Sequence, residues 1–123
     1  MLTPNVIILY VDSPEASGAF YAKLLGQEPV EASATFVRFA LSNGVMLGLW
    51  SRHTVEPAAS AAGGGGELGF AVANDAAVEA TYAKWGSGGL TILQERSRMD
   101  FGYTFVALDP DGHRLRVFAI ADE

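Results

Sequence analysis

The side chains able to do chemistry are few, and most sit where chains turn. Among 123 residues there is no cysteine, and the only histidines are His53 and His113. Without cysteine there are no disulfides, thiolate nucleophiles or cysteine zinc sites. Both histidines fall in turn or connector sequence, no Gly-x-Ser-x-Gly elbow occurs, and no histidine is placed near a serine and an acid. The acids Asp109 and Asp111 flank Pro110 and precede Gly112, the composition of a turn rather than of a general acid–base pair. Nucleophilic and proton-transfer catalysis are therefore hard to assemble from these residues.

Half of the residues are hydrophobic and 18% are charged, enough for one compact domain with a buried core. No stretch approaches the roughly 18 apolar residues that span a bilayer, so no membrane partner is expected. The start, Met1-Leu2-Thr3-Pro4, lacks a basic and apolar leader, and the expected location is the cytoplasm. Net charge is −6, from fourteen acids against eight bases. Arg96, Arg98, Arg114 and Arg116 are separated by other residues and make no continuous basic stripe, so no nucleic-acid partner is expected.

The elements that must position any site occur twice. Val6–Val11 reads as a strand and is followed by Asp12-Ser13-Pro14. A helix follows with Ser13 as N-cap, Pro14 at its first position, Gly26 as its stop, and a face of Ala16, Ala19, Phe20, Lys23 and Leu24. About 61 positions later comes the strand Leu68–Ala73. It leads to a cap at Asn74 and Asp75 and a helix with Val78, Tyr82 and Trp85 on one face, ending at Gly86. The strand Thr35–Val37, the turn Leu41–Gly44 and the strand Val45–Trp50 match Thr104–Val106, Asp109–Gly112 and His113–Phe118. Glu28–Ser33 and Thr91–Gln94 are weaker candidates for one more strand in each half. The expected fold is α+β: tandem βαβββ modules over 1–52 and 67–123 in a single domain 1–123, forming a curved, cup-shaped mixed sheet with helices outside. The Ala- and Gly-rich stretch 53–66 is read as a flexible connector.

Two segments carry a family resemblance. Tyr10 to Ser17, with Phe20-Tyr21 and Leu24-Leu25-Gly26, resembles the opening module of the vicinal oxygen chelate superfamily of glyoxalases, ring-cleaving dioxygenases and bleomycin-type resistance proteins. Asp109-Pro110-Asp111-Gly112-His113 resembles its closing hairpin. Further, Thr3-Pro4-Asn5, Glu28-Pro29-Val30, Leu49-Trp50-Ser51, Glu56-Pro57, Phe101-Gly102 and Thr104-Phe105 resemble the phenazine-resistance branch of that superfamily. The resemblance implies binding of an aromatic antibiotic by stacking, and a homodimer.

Enzymes of the superfamily hold a divalent metal with one residue from each of four equivalent strands. Carried over through the repeat, those positions are Val6, Gly48, Glu67 and Arg116. Only Glu67 can donate to a cation, and a permanently charged Arg116 repels one. No metal or other cofactor is expected, and metal-assisted isomerisation, dioxygenation and thiol transfer lose their mechanism. Glu67 and Arg116 are read either as an ion pair replacing the metal or as partners of a polar ligand group.

Side chains alternate along strands, so the residues sharing a face with those positions are Ile8 and Tyr10, Met46 and Trp50, and Arg114 and Phe118. The expected site is a cup walled by Ile8, Tyr10, Met46, Trp50 and Phe118, with Gly48 leaving room, Glu67 and Arg116 as polar groups, and Phe101 and Tyr103 at the rim. For Tyr10, Met46 and Phe118 a place in the core competes with a place in the pocket. The expected function is metal-free sequestration of a small planar aromatic compound, with no catalytic residue. The alternatives are an enzyme with an atypical metal site, one using Glu67 as general base, and an interaction module whose cup has closed. A homodimer is expected, with exchange of halves through the connector left open.

Overall fold

In the computed structural model, which describes residues 1–121, the described residues divide into two compact units, 1–63 and from Gly64 onward. Each unit has a four-stranded mixed sheet and one helix.

The first unit runs β1 (Val6–Val11), α1 (Pro14–Leu25), β2 (Glu31–Ala32), β3 (Phe36–Ala40) and β4 (Met46–Ser51). Its strand order is β1-β4-β3-β2, with β1 parallel to β4 and the other neighbours antiparallel. The Ser13 side chain accepts a hydrogen bond from the Ala16 N–H, Pro14 opens the helix, and Gly26 closes it in the left-handed region at φ 69°. The buried residues of α1 are Pro14, Ser17, Gly18 and Tyr21: of the pair Phe20 and Tyr21, both expected to pack on the sheet, Tyr21 is fully buried, while the periodic set Ala16, Ala19, Phe20, Lys23 and Leu24 is not. Small residues decide this. A β-carbon on Gly18 would lie 3.2 Å from Val37 Cγ1, so the helix approaches the sheet closely where side chains are short, and Tyr21 fills the space beside it. Under α1 the core is Val11, Val37, Phe39, Leu47 and Leu49.

The second unit repeats the plan with β5 (Glu67–Ala71), α2 (Asp75–Ser87), β6 (Thr91–Met99), β7 (Gly102–Leu108) and β8 (Arg114–Ile120), in the order β5-β8-β7-β6. The Asn74 side chain caps α2 by accepting from the Ala77 N–H. The helix runs through Gly86 to Ser87, and Gly89, at φ +86°, turns the chain away. Val78, Tyr82 and Trp85 pack on the sheet as their spacing indicates. Trp85 meets Phe70 and Phe105 edge to face at 5.5 and 5.6 Å, and Tyr82 meets Phe105 at 5.3 Å. β6 is far longer than the Thr91–Gln94 segment and carries two register shifts against β7. Its outer half is tied to α2 by the ion pairs Arg96–Glu79 and Arg98–Asp75.

Both hairpin turns use the chemistry their sequences advertise. Gly44 has φ +85° and Gly112 φ +80°. The buried carboxylate of Asp109 accepts hydrogen bonds from the Asp111 and His113 N–H groups at 2.9 and 2.8 Å. No helix or strand occurs between Ser51 and Glu67 among the described residues. Even so, the segment begins in an anchored turn: the Thr54 and Val55 N–H groups donate to the Ser51 carbonyl, and Val55 is buried.

Candidate ligand-binding site

α1 covers one face of the first sheet and leaves the other open. Register arranges that open face in rows. Tyr10 stands beside Trp50 and Trp50 beside Phe36; Ile8 beside Gly48, Gly48 beside Arg38 and Arg38 beside Glu31; Val6 beside Met46 and Met46 beside Ala40. Thus Ile8, Tyr10, Met46, Gly48 and Trp50 all come together on one face. The patch is apolar and accessible: Val6 is 52% exposed, Ile8 43% and Tyr10 41%. Accessible apolar side chains grouped in this way form a candidate binding surface.

Gly48 does not leave the expected opening. A β-carbon there would lie 2.8 Å from Phe36 Cζ and 3.5 Å from Ile8 Cγ1, so the phenyl ring of Phe36 fills the vacated space. Phe36 in turn meets Trp50 edge to face, with ring centres 6.0 Å apart. The glycine thus admits a second aromatic ring beside the tryptophan. Phe36 and Arg38 were missed by sequence reasoning, although the signal was present. Closing the Leu41–Val45 turn pairs Ala40 with Met46, and counting back from there places Arg38 opposite Gly48 and Phe36 opposite Trp50.

The open face of the second sheet is built differently. Arg116 donates from Nε to Glu67 Oε1 at 2.7 Å and from Nη2 to Glu67 Oε2 at 2.9 Å, a two-point clasp. Its Nη1 donates to Gln94 Oε1 at 3.1 Å and to Thr104 Oγ1 at 3.3 Å. Of the two readings of this pair, the ion pair is the one present. Hydrogen bonding to Arg116 holds the Glu67 carboxyl below its ordinary range, the opposite of the raised value a general base near neutrality requires. Gln94 escaped notice because the register shifts of β6 break the count of alternating faces.

Phe118 lies on this same face, where its ring packs over Gly69 and meets Phe101 edge to face at 6.1 Å. The Arg116 guanidinium carbon is 6.0 Å from the centre of the Phe101 ring. Tyr103 stands apart from these residues. It pairs with buried Ala119, so it lies on the helix side of the sheet, where its hydroxyl donates to Glu79 Oε2 on α2 at 2.6 Å. That hydrogen bond pushes the phenol up and the Glu79 carboxyl down.

The four metal positions do not provide a donor set. Val6 and Gly48 have no side-chain donor atom, and Glu67 is clasped by Arg116. Among the described residues no three His, Cys, Asp or Glu side chains cluster as a metal site would need. His53 lies elsewhere, with its Nε2 2.7 Å from Asp12 Oδ1 at the end of β1. No helix of the described residues is long and apolar enough to cross a membrane.

Comparison with known proteins agrees with this architecture. The model of the Glyoxalase/Bleomycin resistance protein/Dioxygenase superfamily matches residues 3–117. The phenazine antibiotic resistance protein EhpR of Enterobacter agglomerans is 31% identical over 119 residues, covering 94% of this chain and 91% of that protein. The solution structure of protein ATC0852 from Agrobacterium tumefaciens superposes with a TM-score of 0.92 at 60% identity, covering 99% of this chain and all of that one. A glyoxalase-related enzyme from Fulvimarina pelagi shares the fold at 22% identity, with a TM-score of 0.84 over 97% of this chain and 88% of its own.

Proposed function

The chain belongs to the Glyoxalase/Bleomycin resistance protein/Dioxygenase superfamily, and from that premise we propose that it binds a small planar aromatic compound, an antibiotic of the phenazine type, and sequesters it unchanged without a metal. The observation that carries this reading is the row Tyr10–Trp50–Phe36 on an accessible apolar sheet face, flanked by Ile8 and Met46. A flat ring laid against such side chains gains apolar burial and about 0.5–1.5 kcal/mol from stacking on an aromatic partner. The relative named for phenazine resistance supports the ligand class. The absence of a donor set at the superfamily's metal positions supports sequestration over turnover, as does the clasped state of Glu67.

The test is titration of the purified protein with phenazine while tryptophan fluorescence is followed. Trp85 is shielded between Phe70 and Phe105, so quenching is expected from Trp50 and is expected to vanish in Trp50→Ala. Mass spectrometry of the released compound is expected to return it unaltered, and a product would overturn sequestration. Elemental analysis of protein purified without chelators checks the metal-free part, which stoichiometric zinc, nickel, manganese or iron would overturn. The reading includes a homodimer. It is supported by β1, an edge strand with exposed Val6, Ile7 and Ile8, since such edges are usually covered; light scattering at micromolar concentration measures it.

A further inference from the structure

α1 packs on β3 and β4 and leaves a groove between itself and the edge strand β2. The groove has a volume of about 410 Å³, within the size range of small-molecule sites. Gly18, Ala19 and Ala22 form its helix wall, Pro29, Ala32 and Ala34 the opposite wall, and Val37 its floor. Val37 is buried on the helix side of β3, so the groove lies behind the sheet, away from the Tyr10–Trp50–Phe36 row. Among the described residues, the charged side chains lining it are Glu15 and Glu28. Neither makes a hydrogen bond or ion pair with any described residue.

The second unit closes the same gap with its own side chains. Through the repeat, Glu79 stands where Gly18 does and Phe105 where Val37 does, and both are larger. The edge strand β6 is nine residues long and brings Arg96 to Glu79 at 2.7 Å and Arg98 to Asp75 at 2.6 Å. Arg96 also lies over the Tyr82 ring, 4.3 Å from its centre. The first-turn acid of α2, Asp75, thus has a cation. Glu15, the first-turn acid of α1, has none, because β2 ends after Glu31–Ala32 and carries no base. The groove of the first unit therefore lacks both bulk and positive charge.

We propose that this groove binds a linear aliphatic polyamine, its methylenes along the glycine and alanine walls and its terminal ammonium groups on Glu15 and Glu28. The two acids lie at opposite ends: Glu15 is in the first turn of α1, and Glu28 follows the Gly26 stop, where the chain doubles back into β2. The helix between Glu15 and Gly26 is roughly 16 Å long, a span for a linear guest rather than a single ion. No aromatic side chain among the described residues lines the groove, so it offers no cage for a flat or quaternary cation. One exposed ion pair contributes little, so affinity depends on joining two of them through one chain. The net charge of −6 draws polycations at long range. Aromatic binding on the opposite face of the sheet is not required for this site.

The experiment is calorimetric titration of the full chain with spermidine and, as a one-ended probe, butylamine. Spermidine is expected to bind about tenfold or more tightly. Glu15→Gln and Glu28→Gln are each expected to weaken spermidine about threefold, and together to bring it close to butylamine. Asp100→Asn makes the same charge change on the second unit and is expected to leave spermidine affinity unchanged. Ala19→Leu, at an exposed helix position, puts bulk into the groove and is expected to abolish binding with the circular dichroism of the helices retained. Amide shifts in nitrogen-15-labelled protein are expected at Gly18, Ala19, Ala22 and Ala32. Absence of spermidine binding, binding no tighter than that of butylamine, or shifts confined to other residues would overturn the proposal. So would weakening by Asp100→Asn equal to that by Glu15→Gln, which general attraction to an acidic protein would produce.

Discussion

The two units run the same chain path, yet their open sheet faces have opposite character. The first presents Tyr10, Trp50, Phe36, Ile8 and Met46, apolar and partly exposed. The second presents Arg116 clasped by Glu67 and backed by Gln94 and Thr104. Both use a strand glycine as a seat for an aromatic ring, Phe36 over Gly48 and Phe118 over Gly69. The difference shows how a duplicated fold divides labour. On the second face the hydrogen-bonding groups satisfy one another, and on the first an apolar surface is left accessible.

The comparison is broken most severely at the glycine of the first face. In Gly48→Val the new side chain competes with the Phe36 ring for space already filled at 2.8 Å. Overpacking of this kind costs about 1–3 kcal/mol, read as a lower urea midpoint. Displacing Phe36 from Trp50 should also weaken phenazine binding about tenfold, equivalent to about 1.4 kcal/mol. The counterpart test on the second face is Glu67→Ala, which leaves a partly buried guanidinium without its two charged hydrogen bonds. A loss of about 2 kcal/mol is expected, with phenazine binding on the first face retained.

Acid sharpens the same point. Glu67 has its folded value depressed by Arg116, below its ordinary 4.5. A depressed carboxylate adds stability that is fully present above that ordinary value and is lost as pH falls through the lower folded one. Wild-type protein should therefore lose more melting temperature than Glu67→Gln as pH is lowered below about 4.5. Equal losses would show that the clasp adds no stability.

Smaller effects are expected where the structure has slack. In Gly69→Ala the β-carbon would sit 3.3 Å from Phe118 Cε1, a clash a ring edge can relieve, so the cost should stay within about 1 kcal/mol. Contrast with Gly48→Val would measure how tightly each ring is seated. Tyr103→Phe removes a hydroxyl facing α2, and phenazine affinity should remain within about twofold, since the residue is on the far side of its sheet. A larger change would return Tyr103 to the site.

Much of the architecture is legible in the residues because it rests on local rules. Ser13, Pro14 and Gly26 frame α1, Asn74 caps α2, and the Asn43-Gly44 and Asp109–Gly112 turns close their hairpins. Strand alternation likewise groups Ile8 and Tyr10 with Met46 and Trp50, and it is confirmed by the parallel register of β1 and β4. Legibility fails where the outcome depends on what lies across a gap. Beside Tyr21, α1 buries Ser17 and Gly18 because close approach rewards small residues, which a hydrophobic count does not see. Tyr103 fell on the helix side, and Gln94 reached Arg116 only because register shifts in β6 reset its facing.

From the sequence alone follows the duplicated βαβββ plan, because turns, caps and alternation act over a few residues; the family follows from motif resemblance, and the reading of Val6, Gly48 and Arg116 as metal positions without donors follows from that resemblance. Tertiary structure decided the fate of the space at Gly48, which Phe36 occupies, and the choice of Glu67 as the partner of Arg116. Those outcomes depend on distances of a few tenths of an ångström and on hydrogen bonds between strands remote in sequence. No count along a single strand contains them.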